Sequence, residues 1–166
     1  TAGANDITRS VPGGEINWTQ GALWIGTQAR GEMRVLGHTY GDARAALGER
    51  VIQALAKIPY GDGRLAGTVL GETPYARSRV RKLTQDAEVA SARFTAEGDV
   101  TLIARIQIVP DLLRALDPSD GHAGLLRDSA LQGVVIDARG LSPTPALVPW
   151  VRRVRPGRTG AAKDGD

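Results

Sequence analysis

The side chains best suited to chemistry gather late in the chain. Asp111, Asp117, Asp120, His122 and Asp128 form a loose group of carboxylates with one imidazole. Such donors can hold a divalent cation. A calcium loop, however, needs its oxygens at alternate positions of one short segment, and a helical zinc site needs paired histidines on one face. This spacing matches neither pattern. Ser119 and Ser129 lie in the same stretch, without a G-x-S-x-G elbow and without an assignable neighbouring base. His38, the other histidine, stands just before a predicted helix and reads as a turn or capping residue. The glycine-rich run Pro59–Glu72 contains neither a phosphate-loop signature nor a dinucleotide fingerprint. With no nucleophile, base, metal set or cofactor loop to assign, the expectation is a protein that is not an enzyme and takes no cofactor.

Other partners are narrowed by composition. The net charge is only +3, and few aromatics lie between the basic runs at 77–82 and 152–158. That is a poor base-stacking surface, so no nucleic-acid partner is expected. There is no cysteine, which rules out disulfides and thiolate metal sites. No stretch has the roughly 20 apolar residues that span a bilayer. The chain opens on Thr1 rather than Met, which fits removal of an upstream segment such as a signal peptide.

The elements that must position these residues are clearest in the middle. In Thr39–Ile58, Leu47, Val51, Ala54, Leu55 and Ile58 fall on one face of a helical period, with Arg44, Glu49, Arg50, Gln53 and Lys57 largely off it. Thr39 and Asp42 are the candidate caps, and Pro59 is the stop. Gly48 within the helix is either tolerated or allows another element to approach closely. A second helix is predicted from Thr73 and Pro74, with Ala76, Val80, Leu83 and Ala87 inward. Arg77, Arg79, Arg81 and Lys82 make its other side basic, as a solvated face or a contact for an acidic partner or anionic lipid head groups.

Strand signals flank these helices. Residues 88–95 and 100–108 predict an antiparallel hairpin, with Val100, Leu102, Ala104, Ile106 and Ile108 on its buried side. Ile16, Trp18, Leu23 and Ile25 suggest one earlier strand, bent near Gln20 and Gly21. Leu65, Thr68, Val69 and Leu70 suggest a short strand or a packed loop, and Asp111–Leu116 a short helix. Residues 131–138 read as another strand, followed by an extended course through Pro143, Pro145 and Pro149.

The fold expected is therefore α+β: a small antiparallel sheet with one long and one shorter helix on one face, and extended terminal arms. The division is an arm at 1–14, a compact domain at 15–116, a strand plus Pro-rich packing segment at 117–151, and a disordered basic tail at 152–166. The candidate subunit contacts are Trp18, Trp24, Leu141, Leu147, Val148 and Trp150, because aromatic and bulky apolar groups suit interface centres; the other reading of Trp18 and Trp24 is that they cover the sheet edge or core. The Pro-rich segment is expected to pack along its own subunit or a neighbour, and could also add to the sheet edge of another subunit.

Three segments carry a family likeness: Gly14–Thr27 (GEINWTQGALWIGT), the alanine- and arginine-rich helix Asp42–Lys57, and Gly133–Pro149 (GVVIDARGLSPTPALVP). With the helix and hairpin between them, their order resembles small bacterial envelope proteins of the Helicobacter outer-membrane lipoprotein type, to which the N-terminal domains of the flagellar proteins FlgP and FlgT are related. The resemblance spans roughly 15–150. It implies a secreted, non-enzymatic structural protein of the periplasm or the periplasmic face of the outer membrane. It also implies homo-oligomers, envelope-protein partners, and membrane association through an upstream segment or those partners, as in a flagellar ring or disk. The sequence departs from the family in lacking a lipobox cysteine and in having a glycine-rich, basic helix–hairpin connection. A periplasmic adaptor binding a protein or envelope polymer is one alternative reading, and an uncharacterised small enzyme, which would need a cleft of mutually close ionisable groups, is the other.

Overall fold

The computed structural model describes residues 6–31, 36–61, 63–117 and 144–148. Strands β1 (Thr8–Val11), β2 (Gly14–Asn17) and β3 (Ala22–Ala29) come first, followed by helices α1 (Leu36–Ala45) and α2 (Leu47–Leu55). Two short strands, β4 (Pro59–Gly61) and β5 (Arg64–Leu65), lead into α3 (Ala66–Glu72) and α4 (Ala76–Gln85). The hairpin β6 (Glu88–Phe94) and β7 (Val100–Gln107) precedes an irregular turn and α5 (Leu113–Leu116). The main sheet has five antiparallel strands in the order β1-β2-β3-β7-β6, and β4 pairs separately with β5. The α+β expectation holds, with the helices on one face of an antiparallel sheet.

The alternation in β7 sets that face. Val100, Leu102, Ala104 and Ile106 are buried, and across from them in β3 lie Ala29, Thr27, Ile25 and Leu23. All five residues of the expected helical stripe, Leu47, Val51, Ala54, Leu55 and Ile58, are fully buried in the same core. Full burial of the four larger ones contributes roughly 6–12 kcal/mol before chain entropy is subtracted.

The long helix is bent at Ala46. That residue keeps helical dihedrals (φ −68°, ψ −18°), and hydrogen bonds cross the bend from Ala46 N to Asp42 O and from Arg50 N to Ala46 O. The bend lets α1 cover β3 and β7 while α2 continues toward α3 and α4. The helix begins earlier than expected, at Leu36, so Thr39 is interior rather than a cap. Its hydroxyl is buried with no hydrogen-bond partner among the described residues.

Four other local expectations are corrected. Residues 8–11 are strand rather than irregular arm, because Pro12 and Gly13 close a two-residue turn between paired Val11 and Gly14. Pro fixes a negative φ and Gly13 takes φ 78°, the Pro-then-Gly order of a type II turn. The supposed single bent strand over 16–25 is a hairpin, β2–β3, whose turn is held by Gln20 N donating to Asn17 Oδ1 at 2.9 Å. Residues 66–72 form a helix despite two glycines, since Ala66, Val69 and Leu70 share one buried side. Helix α4 starts after Tyr75 rather than at Pro74; Ala76 N reaches back to Thr73 O, and Tyr75 takes a left-handed φ of 59°.

Candidate interaction surface

The face of the sheet turned away from the helices carries a transverse row. Register places Ser10 opposite Glu15, Glu15 opposite Trp24, Trp24 opposite Arg105 and Arg105 opposite Glu88, one residue from each strand. The Arg105 guanidinium carbon lies 6.0 Å from the Trp24 ring centroid. Its nitrogens reach Glu88 Oε2 at 3.5 Å and donate to Gln107 Oε1 at 3.0 Å. Trp24 is half-buried by this setting, and Ile103 beside it is exposed. The row joins an aromatic plane, a cation and two carboxylates on a flat surface, which suits contact with a polar, partly apolar partner surface.

The sheet's last strand, β6, pairs only with β7, and its other edge meets no strand among the described residues. A bulge lies between Val89 and Ser91. Glu88, Ser91 and Arg93 stand opposite Arg105, Ile103 and Thr101, which puts them on the outward face. Phe94, 52% exposed, stacks on Tyr40 of α1 with ring centroids 6.4 Å apart.

The N-terminal hairpin is held by a polar clip. Asp6 Oδ2 accepts from Asn17 Nδ2 at 2.9 Å and from Gln20 Nε2 at 3.0 Å, while Ile7 N donates to Thr19 Oγ1 at 2.9 Å. Trp18, next to this clip, packs against the main core. It is therefore a partly buried support of the hairpin rather than a free contact.

Three arginines bind the helical layer together. Arg44 donates to Gln85 O and Ala87 O, satisfying carbonyls where α4 ends. Arg79 donates to Pro74 O and to Ala115 O, at 2.9 and 3.0 Å. Arg81 grips Glu49 Oε1 through Nε at 2.7 Å and Nη2 at 2.6 Å, tying α4 to α2. The basic side of α4 is thus partly a set of internal ties, and only its Arg77, Arg81 and Lys82 are exposed. These roles were hidden from sequence because periodicity shows which face is polar but not which carbonyls it meets.

Leu147 and Val148 do not form a projecting contact. They are 4% and 9% exposed in this chain's own core. Leu147 N donates to Pro59 O at 2.9 Å and Val148 N to Tyr60 O at 2.6 Å, tying the segment to β4. The described part of the Pro-rich segment is therefore seated on its own domain, which withdraws the edge-addition reading for it. Burial pushes the nearby Tyr60 phenol above its ordinary pKa; the Asp117 carboxylate adds to the rise, and Arg64 opposes it. The Arg64 guanidinium carbon sits 5.6 Å from the Tyr60 ring centroid.

Of the acidic–histidine group, Asp111 is exposed beyond β7 and Asp117 is half-buried after α5. Asp120, His122, Asp128, Leu141, Trp150 and the predicted strand at 131–138 lie outside the described residues. Among the described residues, no cluster of three or more His, Asp or Glu side chains is placed to hold a metal ion, and no helix is long and apolar enough to cross a membrane. Comparison with protein-family models, curated proteins and solved structures found no match.

Proposed function

We propose that this chain is a non-enzymatic structural component of a bacterial envelope assembly that works by self-association, in a ring or disk on the periplasmic side of the outer membrane. The observation that carries this reading is the pairing of an inner sheet face packed by helices over β3 and β7 with an outward face and a β6 edge that no second strand covers among the described residues. A sheet edge and a flat face bearing Trp24, Arg105 and Glu88 suit protein contact. The family likeness of residues 14–27, 42–57 and 133–149 supports the envelope setting. In this reading the helices serve as a platform and the sheet supplies the contacts.

The test is fractionation of cells producing the chain from its natural precursor, followed by sedimentation of the released material. The reading expects the chain with the periplasmic or outer-membrane fraction, in particles much larger than one copy. Recovery from the cytoplasm as a slowly sedimenting monomer would refute it. A periplasmic adaptor is the second reading, favoured by the half-buried Trp24 beside Arg105, since such a surface can hold an extended protein or polymer. It expects a monomer that becomes large only with its partner.

A further inference from the structure

We propose that two copies of this chain join through their β6 edges, antiparallel and about a two-fold axis at Ser91, to make one continuous sheet. This deepens the self-association reading and rests on it. A two-fold axis perpendicular to a sheet pairs each outward residue with an outward residue of the other copy. The outward residues of β6 are Glu88, Ser91 and Arg93, and the inward ones are Val89, Ala92 and Phe94. The bulge makes Val89 and Ala90 together count as one position against β7. With the axis at Ser91, Glu88 of each copy then stands opposite Arg93 of the other, twice over.

The charges choose this register among the two-fold arrangements. An axis at Glu88 sets two carboxylates opposite each other, and one at Arg93 sets two guanidinium groups together. An axis at Val89 or Ala92 leaves at least one charge facing Ser91. Only at Ser91 do both signs meet, so the bulge and the charges that blunt an edge against indiscriminate pairing allow one self-pairing. On the inward side the same register sets Val89 opposite Ala92. It also brings the exposed Phe94 over Ala87 of the second copy, covering the large apolar group that this chain leaves open at the edge.

The chain contains no cysteine, so one introduced thiol reports one position. Ser91→Cys is placed at the axis, where directly opposed residues in either antiparallel pair type have Cα separations of about 4.5–5.5 Å, within disulfide range. Under mild oxidation it is expected to convert the purified assembly to covalent dimers. Ser78→Cys, exposed on α4, is expected to convert far less. Arg93→Glu, which puts like charges opposite at both ends of the pairing, is expected to weaken association by about tenfold and to slow cross-linking of the Ser91→Cys chain. All three singly changed proteins are first shown to fold by circular dichroism and cooperative unfolding. An assembly of native size in which Ser91→Cys cross-links no faster than Ser78→Cys overturns the β6 pairing and leaves self-association standing. That result is also expected if another segment of the same chain covers β6. A protein that stays monomeric overturns both.

Discussion

Replacing Gly48 probes whether α2 and α4 touch as described. A Cβ built on Gly48 lies 3.0 Å from Arg81 Cγ, 3.3 Å from Thr84 Oγ1 and 3.4 Å from Arg81 Cα. Relief of helical glycine is worth about 1 kcal/mol in favour of alanine. Against it stands a crowded contact in which Arg81 Cγ can shift, although Arg81 is held by Glu49. Thr84 Oγ1 is fixed by its own bond to Arg81 O at 2.7 Å. The two effects oppose each other at similar size, so Gly48→Ala should leave stability within about 1 kcal/mol of the parent. Gly48→Val adds two methyl groups at the same place and loses helix propensity, so it should cost about 1–3 kcal/mol. Urea unfolding followed by circular dichroism reads both, with an unchanged denaturant slope showing that only stability has moved. If alanine gained its full propensity benefit and valine were harmless, α4 would not lie against α2 at Gly48.

Two further changes test the edges of the core. Leu147→Ala removes a side chain that fills the chain's own core beside β4, and should lower unfolding free energy by about 2–5 kcal/mol; an exposed subunit contact would lose far less in a dilute monomer. The raised Tyr60 pKa means that the folded state holds the phenolic proton more tightly than the unfolded state. Its stabilising effect is whole below the ordinary value of about 10 and is lost as pH rises through the folded value. The parent should therefore lose stability on alkaline titration more steeply than Tyr60→Phe, and parallel curves would show that Tyr60 is not the group responsible.

The parts of the fold legible in the sequence were those where one face is buried. Alternation fixed the inward side of β7, and helical spacing identified Leu47, Val51, Ala54, Leu55 and Ile58, because burial on one side leaves a period. Short elements were less legible. Strand β1 is mostly exposed and neither strand of the β1–β2 hairpin shows clear alternation, so the hairpin's best signal was the Pro12–Gly13 turn. Helix α3 carries Gly67 and Gly71, which hide a buried side made of only Ala66, Val69 and Leu70.

The candidate surface was legible only in part. Trp24 stood out as an aromatic in a chain with few of them, but its neighbours Glu15, Arg105 and Glu88 come from distant positions that only strand register unites. Leu147 and Val148 read as packing on this subunit or on a neighbour, because apolar composition does not say whose core it fills; the main-chain bonds to Pro59 and Tyr60 show that it is this chain's own. The arginine ties from Arg44, Arg79 and Arg81 depend on where helices end in space, which no local pattern encodes.

Self-association is the central claim, and the native mass of the purified chain over a range of concentrations tests it most directly. Light scattering behind size exclusion, checked by native mass spectrometry, is predicted to give whole multiples of the 17.5 kDa chain, with even numbers favoured by the two-fold β6 pairing. A single species of 17.5 kDa persisting to high concentration would contradict it.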